Sequence, residues 1–450
     1  MPQLPRRLRP EQLIPFSLAG TVFAFACGSS GVAGVQHVGR PLRWVLLFVL
    51  LALVVVVALR DRAPLRLPAS VIGAAAALAL LALVSTAWSV DPRLTFERAA
   101  TLAVMLVTVA ALAQSSLERN GGAERVACGI VGGAAAVAVA GILVFVFRHA
   151  DAVQPATRDL PERYQGLGQN PNTVSLLLAS CLALVVWLFA RAGSRRARVV
   201  LVVVGLLFLG SMIASGSRGS LIGGFAGVAT VVAIVPARAR MRAALGAATV
   251  AALAASIGLA LVPKSEGASW KPPHVTPVSA PGSHPNPGYT NVEGTFPLDS
   301  DIGTLLIDSK PTRRTLFGLT GRGEAWRGAI DLGNERPVVG YGFGTEGRVF
   351  VDRWADFVGG LPENSYIGIY LQLGAVGLLA LLALAASIVV AALRRSDRRQ
   401  VAGPLGALTA GLVMAFVQSY IYSVGDIATV ALWAAAFLAA VPPSREPVRA

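Results

Sequence analysis

Two arginines stand where a membrane chain has little ordinary use for them. Arg218 lies in Ser215-Gly216-Ser217-Arg218-Gly219-Ser220, between two apolar stretches of helical length that carry almost no other polar residue. Arg322 sits between Gly321 and Gly323, ahead of a stretch from Glu324 to Leu332 that can form a short amphipathic helix with Trp326 and Ile330 on one face. A guanidinium is a permanently charged planar fork of donors that matches phosphate oxygens two at a time, so both positions suit a phosphate or diphosphate. The plainer readings are a boundary side chain reaching for water at Arg218 and a solvated loop arginine at Arg322. Arg313, Arg314, Arg327, Arg336 and Arg348 make the surrounding loop cationic as a whole.

A carboxylate comes next. Glu363-Asn364-Ser365-Tyr366 follows Pro362 and opens a long apolar run. There Glu363 either complements the positive end of a helix dipole or acts as a general base at the water boundary of a membrane cavity. Asn172, in Gln169-Asn170-Pro171-Asn172, reads first as a helix N-cap, and its amide also suits sugar hydroxyls. Asn172, Asn364 and Trp326 are the candidates for substrate contact, with Glu363, Arg218 and Arg322 the candidates for chemistry. The four histidines (His37, His149, His274, His284) are dispersed, so no metal ligand set is expected. No P-loop is present, and no cofactor is expected.

These residues need a scaffold, and the composition says which kind. Of 450 residues 54% are hydrophobic and 14% charged, where soluble domains carry roughly a quarter charged. Apolar runs able to cross about 30 Å of hydrocarbon recur near 13–35, 44–59, 69–88, 99–114, 126–147, 173–190, 199–216, 220–236, 243–262, 365–393, 402–422 and 425–441. The expected fold is therefore all-α and integral to a membrane, with about twelve transmembrane helices. Residues 1–262 hold helices one to nine, 263–364 form a large extracytoplasmic loop, and 365–450 hold helices ten to twelve with a cytoplasmic tail.

The formal net charge of +15 would raise nucleic-acid binding on a soluble domain. Here the arginines fall in alternate short connections, at Arg60/Arg62/Arg66, Arg119/Arg125, Arg191/Arg195/Arg196/Arg198, Arg238/Arg240/Arg242 and Arg394/Arg395/Arg398/Arg399. That is the positive-inside pattern with both termini cytoplasmic, and it points to membrane lipid rather than nucleic acid as the partner. Cys27, Cys128 and Cys181 all lie in apolar runs and read as packing residues. The connections at 148–172, at 215–219 and at 263–364 fall on the opposite, outer side. The last begins with a proline-rich stretch, Lys271-Pro272-Pro273 to Pro285-Asn286-Pro287-Gly288, and later carries Gly340-Tyr341-Gly342-Phe343-Gly344, where backbone can approach a ligand.

Several of these stretches together resemble the O-antigen ligase and polymerase superfamily of bacterial envelope proteins. The shared elements are the arginine-bearing turn at 215–219, Asn170-Pro171-Asn172, and a loop reading Gly321-Arg322, Trp326, Pro337, Gly340 and Gly342. The ligases carry a histidine, a small polar residue, nine residues and Gly-x-x-Gly. Here Glu363-Asn364 is followed by nine residues and Gly374-Ala375-Val376-Gly377, with glutamate in place of histidine. The resemblance implies a fold similar to the GT-C membrane glycosyltransferases. It also implies an inverting, metal-independent transfer from a polyprenyl-diphosphate-linked glycan donor to a glycan or lipid-glycan acceptor, outside the bacterial cytoplasmic membrane. Arg218 and Arg322 would hold the diphosphate, and Glu363 would orient or deprotonate the acceptor. The glutamate tilts the expectation from lipid A-core ligation towards a polymerase, or a ligase for another acceptor. The competing expectation is a polytopic transporter or flippase, which should show polar residues near mid-helix along a substrate path.

Overall fold

The computed structural model describes residues 10–61, 66–115, 121–155, 162–235, 322–353 and 361–441, together with Ala248. They form fourteen helices: α1 (Pro10–Gly28), α2 (Ala33–Asp61), α3 (Ala69–Val84), α4 (Pro92–Ser115), α5 (Gly122–Phe147), α6 (His149–Ala152), α7 (Pro171–Arg191), α8 (Arg195–Ser215), α9 (Arg218–Ile234), α10 (Arg322–Glu335), α11 (Glu346–Arg353), α12 (Ser365–Leu393), α13 (Ala402–Met414) and α14 (Thr429–Ala440). A two-residue hairpin of β1 (Val153–Gln154) and β2 (Arg163–Tyr164) pairs antiparallel after α6. Eight of the helices are long and apolar enough to cross a membrane, and α9, α13 and α14 are shorter apolar helices. The run at 243–262 and most of the segment 263–364 lie outside the described residues.

The first turn differs from the sequence expectation. α1 ends at Gly28 and α2 already begins at Ala33, so Arg40, Pro41 and Arg43 lie within a helix and not in a connection. Cation and proline together read as a loop, but α1 and α2 cross at Gly39, where a Cβ would overlap the backbone of Cys27 and Gly28. Arg43 then lies over the rings of Trp44 and Phe25, 5.0 and 6.0 Å from their centroids.

α14 is buried on every side, as an apolar helix with no polar face must be. Small residues let its neighbours close up. At the crossing of α9 and α13, a Cβ on Gly227 would stand 2.6 Å from the Gly406 carbonyl, and one on Gly406 the same distance from the Gly227 carbonyl.

One end of the bundle collects arginine. There Arg191 pairs with Glu124, the Arg66 N–H donates to Gln114 Oε1 at 2.8 Å, and Trp187 Nε1 donates to the Arg399 carbonyl at 2.9 Å. The other end collects the polar turns. The Gly31 N–H donates to the Gly168 carbonyl, Ser29 Oγ to the Gly425 carbonyl at 2.6 Å, Trp88 Nε1 to the Val339 carbonyl at 3.1 Å, and the Phe343 N–H to Ser85 Oγ at 3.0 Å.

The Asn-Pro-Asn element caps α7, with a shift of role. Asn170, not Asn172, is the N-cap: its Oδ1 accepts from the N–H groups of Asn172 and Thr173 at 2.9 and 3.2 Å. Pro171, with φ preset and no N–H, belongs at the first helical position and thereby places the cap one residue earlier. Asn170→Ala should lower stability by about 1 kcal/mol in thermal unfolding of the detergent-solubilised protein.

Candidate functional site

The turn that carries Arg218 is held from below. α8 ends on Gly216 in the left-handed region at φ 60°, and α9 starts two residues later at Arg218. Ser215 Oγ lies 2.5 Å from Ser175 Oγ of α7, and the Ser215 carbonyl accepts from Arg163 Nε at 2.7 Å. Arg163 is buried, and its Nη2 donates to Asn172 Oδ1 at 2.9 Å. Asn172 and Arg163 therefore fix the arginine turn. The half-buried Arg218 lies close enough to Arg322 for the two guanidiniums to repel. Two like charges brought together at a partly desolvated boundary favour an anion between them.

Arg322 opens α10 and is paired with Glu363. Its Nε donates to Glu363 Oε2 at 2.6 Å, and Nη2 approaches the same oxygen. The two side chains keep 20% and 24% of their exposure, so the pair stands at the edge of water. Among the described residues Oε1 takes no hydrogen bond. Glu363 is also the one non-glycine residue with positive φ among those described, at 48°. A left-handed backbone at a residue with a Cβ costs of order 1 kcal/mol and persists only where the surroundings demand it.

Those surroundings can be named. Trp326 Nε1 donates to the Pro362 carbonyl at 2.8 Å. Asn364 caps α12, its Oδ1 accepting from Tyr366 N–H at 3.0 Å and Ile367 N–H at 3.2 Å. The Asn364 N–H donates to Ser419 Oγ at 3.1 Å, and the Ser365 N–H to the Ala415 carbonyl at 2.7 Å. Trp326 and Asn364 thus clamp the two sides of Glu363. On α10 the buried face is Ala325, Ala329 and Leu332, while Ile330 is exposed, so the expected Trp326–Ile330 face is not the packed one. Small residues are needed there because α10 lies close on α12, with Gly333 against the Tyr370 ring.

The partner of this turn is a stretch read from sequence as helical. α13 ends at Met414, and residues 415–428 are irregular before α14 begins. Thirteen helical residues span only about 20 Å, short of the hydrocarbon thickness. Non-helical backbone at that depth is tolerated where protein satisfies it. Here Ser365 Oγ donates to the Gln418 carbonyl at 2.6 Å and accepts from the Tyr420 N–H at 3.0 Å. Val417 packs against Gly219, beside Arg218. One irregular segment therefore touches both the arginine turn and the glutamate turn. Its sequence signal was Gln418-Ser419-Tyr420 with Tyr422, Ser423 and Asp426, a polar cluster that a hydropathy average conceals.

A second carboxylate, singled out by no motif, lies behind Ser419. Glu346 at the start of α11 is buried, and its Oε1 accepts from Ser419 Oγ at 2.9 Å. Its Oε2 accepts from Tyr422 Oη at 2.5 Å and Gln372 Nε2 at 3.1 Å. Of the other loop cations, Arg313 and Arg314 lie outside the described residues, Arg327 is exposed, Arg336 covers the Tyr341 ring at 4.8 Å, and Arg348 pairs with Asp91 at 3.3 Å.

The chain is thus a multi-pass all-α membrane protein whose polar end joins arginines and carboxylates from distant parts of the sequence. Residues 203–382 match the family model described as O-antigen ligase, and this match supports membership of the O-antigen ligase-like superfamily. The matched span includes Arg218, Arg322, Glu346 and Glu363. No curated protein matches the chain.

Proposed function

We propose that the protein transfers or polymerises glycan carried on a polyprenyl diphosphate, at the outer face of the bacterial cytoplasmic membrane. The observation that carries this reading is the Arg322–Glu363 pair held within the field of Arg218. The arginine-rich end is then cytoplasmic, with both termini there, as the positive-inside rule asks. Arg218 and Arg322 bind the donor's diphosphate and stabilise the charge that grows as it leaves. The acceptor hydroxyl oxygen attacks the anomeric carbon from the face opposite the leaving group, which inverts that carbon. The anomeric carbon–oxygen bond to the diphosphate breaks, and the hydroxyl proton passes to Glu363 at Oε1, which takes no hydrogen bond from the described residues.

A bound diphosphate competes with Glu363 for Arg322, so donor binding loosens the ion pair and frees the carboxylate for the acceptor. Charge-assisted contacts from arginine take the part that a divalent cation plays in other diphosphate sites, which makes the reaction metal-independent. A transporter reading draws on the break in α12 at Gly374, whose φ of 63° is not helical, and on the irregular 415–428, since broken helices mark transport sites. Against it, the hydrogen bonds of these breaks go to neighbouring segments of the chain and leave them closed.

The test is the purified protein with a polyprenyl-diphosphate oligosaccharide. New glycosidic bonds, at a rate that excess chelator leaves within about 2-fold, are expected. A ladder of products denotes a polymerase and a single addition a ligase. Movement of the lipid across vesicles without bond formation would replace this reading with the transporter.

A further inference from the structure

We propose that Glu346 is a positioning residue for glycan transfer: through Ser419 it fixes the backbone from which Glu363 is presented. The inference rests on the role proposed for Glu363. Ser419 has one proton to give and gives it to Glu346 Oε1 at 2.9 Å, which turns its lone pairs towards the Asn364 N–H at 3.1 Å. Asn364 directly follows the left-handed Glu363. The carboxylate itself is locked by Tyr422 and Gln372, and α12 leaves room for it only because residue 368 is glycine, where a Cβ would overlap the Tyr422 hydroxyl and approach Glu346 Oε1. Gln372 Oε1 in turn accepts from the Gly344 N–H at 2.6 Å, which ties the loop before Glu346 to the same helix. A buried carboxylate taking three side-chain hydrogen bonds is costly to keep, and a neutral side chain would fill the space more cheaply. Glu346 is sealed from substrate, so what it contributes must pass through its neighbours.

Burial raises the Glu346 carboxyl from an ordinary 4.5 to about 7, partly offset by the hydrogen bonds of Tyr422 and Ser419 and by the charge of Arg98. The charged and titratable groups facing it are Arg98 from α4 and the Tyr422 phenol from the irregular segment, while α12 presents the uncharged Gln372. Because the folded value is raised, the stability from this group is complete below about pH 4.5 and is lost as pH rises through about 7. Positioning has the opposite sign, since the carboxylate form holds Ser419. Transfer should therefore rise through about pH 7 while stability falls.

The experiment compares wild type, Glu346→Gln, Ser419→Ala and the double variant by hydrogen exchange at Asn364, thermal unfolding and transfer rate between pH 5.5 and 8.5. In Glu346→Gln the amide donors point at Ser419. Expected are exchange at Asn364 at least 10-fold faster, transfer at least 10-fold slower at pH 8, a flattened pH profile, and stability at pH 8 equal to or above wild type. Ser419→Ala, the milder change, should give the same losses, and the double variant no more than either alone. Unchanged exchange at Asn364 in both single variants overturns the inference whatever chemistry the protein performs. A transfer rate that merely follows stability across the pH range overturns it too. A wild type that makes no glycosidic bond refutes the proposed function and leaves the exchange result to decide the coupling.

Discussion

Arg322→Ala is expected to lower the transfer rate by about 10²- to 10³-fold, the usual cost of removing one electrostatic contact made to the charge that develops in the transition state. Arg322 also neutralises Glu363 through Nε and Nη2, so a simple loss could come from stranding that carboxylate at a half-buried position. The double variant Arg322→Ala/Glu363→Gln separates the two causes. If Arg322 serves only as counter-charge to Glu363, the double variant folds like wild type and transfers no more slowly than Glu363→Gln alone. If it holds the diphosphate, folding recovers while transfer falls at least 10-fold below that of Glu363→Gln alone, and inorganic diphosphate inhibits the double variant at least 10-fold less than Glu363→Gln. Arg322→Lys should fall between, because lysine keeps the charge and loses the fork that reaches one oxygen with two nitrogens. Equal transfer and equal diphosphate inhibition in the double variant and in Glu363→Gln alone would remove Arg322 from the diphosphate site.

The same pair shows what the sequence disclosed. Arg218, Arg322 and Glu363 were legible because each breaks a local rule: an arginine at the outer end of an apolar helix, an arginine between glycines, a carboxylate at a membrane entry. Eight of the twelve expected spans are helices long and apolar enough to cross a membrane, and they were legible because hydropathy is a sum over neighbours along the chain. Glu346 was not, since a glutamate in a glycine-rich polar loop reads as solvated, and its burial is made by Gln372, Ser419 and Tyr422, which lie 26 to 76 residues further on. The irregular 415–428 escaped for the complementary reason: its polar residues are spaced among enough apolar ones to average as a helix, and part of its backbone is satisfied by side chains from elsewhere in the chain, Ser365 at Gln418 and Tyr420, Ser29 at Gly425 and Trp433 at Ile421. Asn172 was read as a cap or a sugar contact; its Oδ1 holds Arg163, which also donates to the Ser215 carbonyl. Geometry of that kind is a property of three segments at once and leaves no mark in any one of them.

The glycine motifs were visible, but their partner was misjudged. Gly340-Tyr341-Gly342-Phe343-Gly344 suggested backbone open to a ligand, whereas it lies against the backbone of α12. The Tyr341 and Gly342 N–H groups donate to the carbonyls of Leu371 and Gln372 at 3.2 and 2.8 Å, and those of Ala375 and Val376 to Pro337 and Val338 at 2.8 and 3.3 Å. Both sides of an interrupted helix are thereby satisfied by one loop. The interruption is Gly374, at φ 63° and ψ −162°, a conformation open to glycine alone.

Gly374→Ala should therefore destabilise the protein by about 3 kcal/mol or more, from backbone strain together with a Cβ that would overlap the Val338 carbonyl and must push the loop off the helix. The loop leads to Glu346 at the start of α11 and Glu363 directly precedes the Asn364 cap of α12, so transfer should fall with stability and should not be rescued by raising donor concentration. Gly73→Ala in α3 is the control: nothing lies within 4 Å of the added Cβ, and alanine at a helix interior should be neutral or stabilise by up to about 1 kcal/mol. Thermal unfolding of both variants in the same detergent measures the contrast. Equal stability of Gly374→Ala and wild type would mean that α12 runs unbroken and that the Gly-x-x-Gly element serves something other than this junction.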